Sequence, residues 1–341
     1  MMKKLFLWIA AFALLLTGCA TPNPTPLPEL TTVSTQPPPT ATAFQPVLAT
    51  PTIAQPTATV IPTATPRVLP ERVLIITVDG LRPDAINQFD MPNVYTLMQQ
   101  SMFALDAHTT LPSATLPSHA SMLTGMCPEK HGVNWNDYIP ANGFANGPSI
   151  FELAHNAGLR TVMVVGKEKL RQLTQPEYTD EFHYVNDRDR IVAERALPLM
   201  STDFDLMFVH LPLVDLLGHA YGWMSPDYMT GVYRADEAIG MLLTALDEAG
   251  IRQGTLILIT SDHGGHETSH GSSLLEDVSI PWILTGSSQN SGAIPRKLST
   301  VDTAATIAYA LDLSIPENWD GIPVYEAFGE PAPIRLERPC E

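Results

Sequence analysis

Four short apolar runs constrain this chain more than any other feature. They are residues 72–78 (RVLIITV), 161–165 (TVMVV), 204–209 (FDLMFV) and 256–260 (LILIT). A strand covered on both faces is apolar at nearly every position, whereas a strand with one wet face alternates. Between the runs the apolar period lengthens to that of a helix. In the clearest case Ser225-Pro226-Asp227 leads into Tyr228, Met229, Val232, Ile239, Leu242, Leu243 and Leu246, and the pattern stops at Gly250. Ser225 suits a helix N-cap and Pro226 the first helical position. Strands alternating with helices predict an α/β fold, a mostly parallel sheet with helices on both faces. The residues from Glu71 onward are numerous enough for one sizeable core, and no internal repeat or second core is visible.

Ligands of such sheets bind beyond the carboxyl ends of the strands. The first run ends in Asp79-Gly80. The third ends in His210 and then Val214-Asp215-Leu216-Leu217-Gly218-His219. The fourth opens SDHGGHETSHG, residues 261–271, with Asp262, His263, His266 and His270 in one loop. Singly, each has a plain reading. Asp79 before Gly is a turn former. Asp215 and His219, four apart, make a solvated pair or a capped turn. Asp262 and His263, being adjacent, need an irregular backbone to share an ion. Together they bring three Asp and several His to one rim, and carboxylate with imidazole is the usual donor set of zinc.

These stretches resemble the alkaline phosphatase superfamily, and most of all its type I phosphodiesterase/nucleotide pyrophosphatase branch. The matching segments are ITVDGLRPDAI, TTLPSATLPSHASMLTGMCPEKHGV, VDLLGH and SDHGGHETSHG, in the family's order across residues 75–271. The resemblance implies an alkaline-phosphatase-like three-layer sandwich and two zinc ions. Asp215, His219 and His270 would hold one. Asp79, Asp262 and His263 would hold the other, with Thr115 completing its shell. Thr115 would be the nucleophile. A bound dication lowers the pKa of such a hydroxyl, and two ions about 4 Å apart stabilise the attacking and leaving oxygens of an in-line displacement. Thr115 also opens a stretch, 116–123, that reads as a helix with Pro117 in its first turn, and a helix N-terminus favours an incoming phosphate.

Some positions depart from the family pattern. Ser118 stands where the family commonly has an Asn that helps hold a phosphate oxygen. Only six residues separate His263 from His270, where pyrophosphatase members carry a long insertion that helps cover the substrate. That spacing is nearer to ethanolamine-phosphate transferases and small phosphatases of the superfamily, so a nucleotide preference is not implied. His266 is an alternative to His270 as ligand, and His-Gly at 270–271 matches the family. His119, His131 and His210 read as packing or ligand-supporting groups. Asn134 and Asn136 are candidates for substrate contact, Asn136 first, although loops use Asn freely. Residues 127–131 superficially match the sulfatase C-x-P-x-R signature, but His131 holds the Arg place and formylglycine chemistry is not implied.

The first 70 residues are of another kind. Lys3 and Lys4 precede an apolar run, 5–16, too short for a comfortable membrane span and suited to a signal peptide over 1–18. Leu16-Thr17-Gly18-Cys19 resembles a bacterial lipobox, which implies cleavage before Cys19 and its lipidation. An ordinary signal peptide with an incidental Cys is the alternative. Residues 21–70 hold 13 Pro and 13 Thr, with Glu29 and Arg67 as the only charges. So few apolar groups cannot offset the entropy of ordering a core, so 19–70 is expected to be a disordered stalk ahead of a catalytic domain at 71–341. The net charge of −17 argues against a nucleic acid polymer as partner. Two Cys remain, Cys127 and Cys340, and an exported location permits a disulfide between them. The expected protein is a lipid-anchored, exported, two-zinc phosphoester hydrolase acting on a small phosphoester. The alternatives are a phosphomonoesterase or phosphoethanolamine transferase of the same superfamily, and a catalytically silent binding lipoprotein.

Overall fold

The alternation of neighbours along the first strand decides how the sheet is covered. In β1 (Arg72–Val78), Val73 and Ile75 enter one apolar cluster while Leu74, Ile76 and Val78 enter another. Both faces are therefore buried, which is why the run has no polar alternation. The structure is a computed structural model and describes residues 69–201, 204–286 and 291–340. The expected signal peptide, Cys19 and nearly all of the expected stalk lie outside the described residues. No described helix is long and apolar enough to cross a membrane.

Seven further strands complete the sheet: β2 (Met102–His108), β3 (Thr161–Val165), β4 (Glu181–Tyr184), β5 (Leu206–Leu211), β6 (Thr255–Thr260), β7 (Ser279–Thr285) and β8 (Gly292–Ala293). Their order is β4-β3-β5-β1-β6-β7-β2-β8. Pairings are parallel except where β7 meets β6 and β2. The helices are α1 (Pro92–Met98), α2 (Thr115–Thr124), α3 (Pro128–His131), α4 (Ile150–Asn156), α5 (Asp189–Met200), α6 (Leu213–Tyr221), α7 (Pro226–Glu248), α8 (Leu275–Val278) and α9 (Asp302–Ala310). Apolar residues of α2, α4 and α9 pack on one face of the sheet, and those of α1, α5, α6 and α7 on the other. Each such side chain, fully buried, contributes about 1.5–3 kcal/mol. The α7 start is as expected: Ser225 accepts from Tyr228 N, with Pro226 as first helical residue.

One expectation needs correcting. The strand of the third run, β5, begins and ends two residues later than 204–209. The parallel register Val78↔Leu211 draws His210 and Leu211 into the ladder, so His210 lies in the strand rather than after it. The antiparallel element β7 also escapes the apolar-run reading. Its sequence, SIPWILT, carries Pro281, and proline argues against an interior strand; here Thr260 Oγ1 donates to the Pro281 carbonyl. Cys127 and Cys340 do form a disulfide, with Cα atoms 5.4 Å apart across 213 positions of sequence. A Cys held this way is unavailable for formylglycine chemistry.

Candidate active site

Three adjacent parallel strands, β5, β1 and β6, deliver the acidic groups to one rim. Asp79 follows β1. Asp215 and His219 lie one turn apart on α6, which begins two residues after β5. Asp262 and His263 follow β6. The chain turns sharply after Asp79 through Gly80, at φ +73, where an added Cβ would lie 3.0 Å from the Asp215 Cβ. Glycine alone takes this conformation without strain. Gly80 N donates to Asp262 Oδ1 at 3.1 Å, and Trp223 Nε1 donates to the Gly80 carbonyl. The loop 261–271 is equally tight: Gly264 N donates to the Asp277 carbonyl and Gly265 N to that of Glu276.

Donor atoms gather in two groups, Asp79/Asp262/His263 and Asp215/His219/His270, each with its atoms within 4.8 Å of one another. His263 Nε2 lies 3.4 Å from Asp79 Oδ1, 3.4 Å from Asp262 Oδ2 and 4.0 Å from Asp215 Oδ1. Asp215 Oδ1 in turn is 3.4 Å from His219 Nε2 and 3.6 Å from His270 Nε2. The His263 and His270 rings stack with centroids 3.7 Å apart, so the groups share a wall. His266 points elsewhere, its Nδ1 2.6 Å from Asp277 Oδ1.

The tautomers follow from the partners. His263 Nδ1 faces the Gly264 carbonyl, His219 Nδ1 that of Thr268, and His270 Nδ1 that of Ser113. A carbonyl only accepts, so each Nδ1 is the donor and each Nε2 of the neutral ring turns a lone pair to the carboxylates. Asp79 Oδ1, Asp215 Oδ1, Asp262 Oδ2 and His263 Nε2 are buried without a hydrogen-bond partner among the described residues. Unpaired buried acceptors facing one another repel unless a proton or a cation lies between them. For His263, burial opposes charge, but Asp262, Asp79 and Asp215 outweigh it and raise its pKa. For His270, burial and then His263 lower the pKa to about 4.

The carboxylates are held from behind. Gly166 N donates to His210 Nδ1 at 3.2 Å, so His210 donates through Nε2 to Asp79 Oδ2 at 2.8 Å. Burial raises the Asp79 pKa, but Lys167 and His210 together hold it well below the usual carboxylate range. Lys167 Nζ lies 2.8 Å from Asp79 Oδ2 and 2.6 Å from Asp215 Oδ2, and 3.3 Å from Thr115 Oγ1. Thr115 is the first residue of α2 and is 1% exposed. His119, one turn along, donates from Nδ1 to the Thr115 carbonyl and accepts from Thr77 Oγ1. Asn136 Oδ1 accepts from Leu116 N at 2.9 Å, so its carbonyl end secures the start of α2. The Ser118 hydroxyl is buried with no partner among the described residues.

The sequence model of the family described as type I phosphodiesterase / nucleotide pyrophosphatase matches residues 73–279, more than half of the chain. The chain belongs to this family. An uncharacterized pyrophosphatase/phosphodiesterase of Schizosaccharomyces pombe is 29% identical over 220 residues, 58% of this chain and 45% of that protein. The catalytic subunit of human GPI ethanolamine phosphate transferase 2 is 28% identical over 276 residues, 75% of this chain and 28% of that one. A bis(5'-adenosyl)-triphosphatase of Xenopus laevis is 24% identical over 58% of this chain and 48% of its own length. The match thus spans less than half the length of each of these relatives. Among solved structures, murine ectonucleotide pyrophosphatase/phosphodiesterase 5 superposes with a TM-score of 0.64 at 14% identity, covering 76% of this chain and 99% of that one. A putative sulfatase of Bacteroides thetaiotaomicron gives 0.65 at 16% identity, covering 78% and 76%. The likeness to these structures shows the fold, an α/β sandwich around a mostly parallel sheet.

All seven residues expected around the ions and nucleophile are brought to this rim: Asp79, Thr115, Asp215, His219, Asp262, His263 and His270. Lys167 is the site residue that sequence reasoning missed. Its signal is its place: Gly166-Lys167 directly follows β3, the strand beside β5, on the same rim.

Proposed function

We propose that the chain is a two-zinc phosphoester hydrolase that attacks phosphorus with Thr115. The observation that carries this is the set of four buried, partnerless acceptor atoms converging between neutral imidazoles and carboxylates. Such a set fits a divalent cation, and nitrogen with oxygen donors suits zinc. Asp79, Asp262 and His263, with Thr115, would hold one ion; Asp215, His219 and His270 would hold the other. Bound there, the ions would supply Lewis acidity and neutralise negative charge on the phosphoryl and leaving oxygens.

The chain's own residues do the rest. Thr115, at the head of α2, presents its hydroxyl where the helix dipole favours an anion. Its oxygen forms the bond to phosphorus as the ester oxygen leaves, giving a phosphothreonine that water then hydrolyses. His119 and Asn136 fix the one peptide group that follows that residue, at the Thr115 carbonyl and at Leu116 N, and His210 keeps Asp79 Oδ2 occupied so that Oδ1 faces inward. The family membership, with relatives named as pyrophosphatase and triphosphatase, favours a phosphodiester or phosphoanhydride substrate of small size. A second reading, transfer of a phosphoethanolamine-type group, draws on the match to the human transferase subunit over 75% of this chain.

Zinc-loaded protein should be compared on aryl phosphodiester, aryl phosphomonoester and aryl sulfate substrates. The expected result is modest, permissive diesterase activity; a strong monoester preference would replace the reading with a phosphatase. Export and anchoring rest on residues 1–19. Cys19→Ser should leave uncleaved or released protein, and a variant still lipid-modified and membrane-bound would refute the lipobox.

A further inference from the structure

Among the described residues, Lys167 is the cation in contact with carboxylates of both donor groups, and its contacts are unusual in their division. It meets Asp79 and Asp215, one carboxylate from each donor group, and meets both at Oδ2. The Oδ1 atoms of the same two residues are the partnerless ones that face the imidazoles. Ammonium and metal therefore do not compete for the same oxygens, and Lys167 is compatible with a filled site. Its position is fixed by the chain: a Cβ on Gly166 would lie 2.3 Å from Pro212 Cγ, so β3 exits directly against the start of α6. The side chain is 14% exposed.

An ammonium has three hydrogens to donate. Two go to the carboxylates at 2.6 and 2.8 Å. The third has Thr115 Oγ1 at 3.3 Å, longer than a well-formed N–H···O bond. Asp79 Oδ2 already accepts from His210, so holding that carboxylate does not by itself require a lysine. What the lysine adds is a positive charge beside the oxygen that attacks.

We propose that Lys167 is a further catalytic residue of this site, donating its third hydrogen to a non-bridging oxygen of the phosphoryl group that Thr115 attacks. This rests on the reading of Thr115 as the nucleophile. In that step the bond from Thr115 Oγ to phosphorus forms and the bond to the leaving oxygen breaks. The hydroxyl proton passes to solvent, and the leaving oxygen takes its proton from solvent. Lys167 remains an ammonium throughout; it transfers no proton. Because its attraction scales with the charge on the phosphoryl group, its removal costs turnover of a dianionic phosphomonoester more than of a monoanionic diester.

The test uses full-length, zinc-loaded protein, with Lys167→Met and Lys167→Arg beside the parent. Three quantities are measured: zinc per chain, the dissociation constant for inorganic phosphate, and kcat/KM on an aryl monoester and an aryl diester. Lys167→Met should keep its zinc and bind inorganic phosphate about 10- to 100-fold more weakly, as expected for a lost charge-assisted hydrogen bond. Its monoester-to-diester ratio should fall about tenfold, with Lys167→Arg in between. Unchanged phosphate affinity in Lys167→Met overturns the proposal. So does a parent that binds no phosphate, and so does loss of zinc from Lys167→Met, which would make Lys167 only a clamp on the carboxylates. A parent that binds phosphate through Lys167 yet turns over no phosphoester would leave Lys167 as a phosphate-binding residue only, and would refute the hydrolase reading and the catalytic role with it.

Discussion

The two donor groups share a wall but are built from different parts of the fold. Asp79, Asp262 and His263 stand at the ends of β1 and β6, and all three are 0% exposed. Their remaining polar atoms are already engaged, by His210 and Lys167 on Asp79 and by Gly80 N on Asp262. The second group draws Asp215 and His219 from α6 and His270 from a loop, and the His219 side chain is 45% exposed. Two carboxylates and an imidazole thus lie buried, whereas one carboxylate and two imidazoles form the more open group. The inner group is closed to solvent at the ends of the sheet, whereas the outer group opens to solvent through the half-exposed His219 side chain.

The largest effects are expected at the inner group and at Thr115, and they separate by metal content. Asp262→Asn should lower turnover by about a thousand-fold or more and lose zinc that added metal does not restore. Thr115→Ala should lose a comparable share of turnover while keeping both ions, because six donors remain, and Thr115→Ser should recover part of it. Full activity in Thr115→Ala would remove the covalent route.

A smaller effect belongs to the outer group. His219→Ala should weaken zinc affinity by roughly 10- to 100-fold, and excess zinc should restore most of its turnover. Metal titration of activity checks this. If Asp262→Asn were rescued by zinc as readily as His219→Ala, the distinction between the groups would collapse.

The smallest effect on rate is expected away from both groups. His131 accepts from Val133 N at Nδ1 and so donates from Nε2 to Ser121 Oγ on α2. Burial lowers its pKa from 6.5 to about 4. Between those values the unfolded chain binds a proton that the folded chain refuses. The stabilisation is therefore complete above pH 6.5 and is lost as pH falls toward 4, on the order of 3 kcal/mol across the window. Denaturant unfolding of zinc-free protein at stepped pH should show this slope, and His131→Gln should flatten it. An unchanged slope in His131→Gln would assign acid sensitivity to other groups, the donor histidines included.

How much of this was legible in the sequence depended on reach. Asp79, Asp215 and Asp262 were visible because each follows a run of buried-strand character, and parallel strands must deliver their ends to one rim. Thr115 and the choice of His270 over His266 came with the family's motifs; spacing alone left both open. Lys167 was not read, because its role depends on a long side chain crossing from β3 to two carboxylates distant in sequence. Asn136 was read as a substrate contact; that its carbonyl also secures the start of α2 is a contact across 20 positions that spacing does not show. The antiparallel strand β7 was hidden by Pro281, whereas the Cys127–Cys340 bridge was read as permitted and is formed because the closed fold brings its ends together.

Metal analysis of the parent chain tests the central claim most directly. After zinc loading and removal of loosely bound metal, two zinc ions per chain are expected, with the first removed by a chelator coming from the outer group, so that His219→Ala retains one under the same treatment. One ion or none in the parent would contradict a two-ion site, and would leave the four partnerless atoms between Asp79, Asp215, Asp262 and His263 to be explained by protons alone.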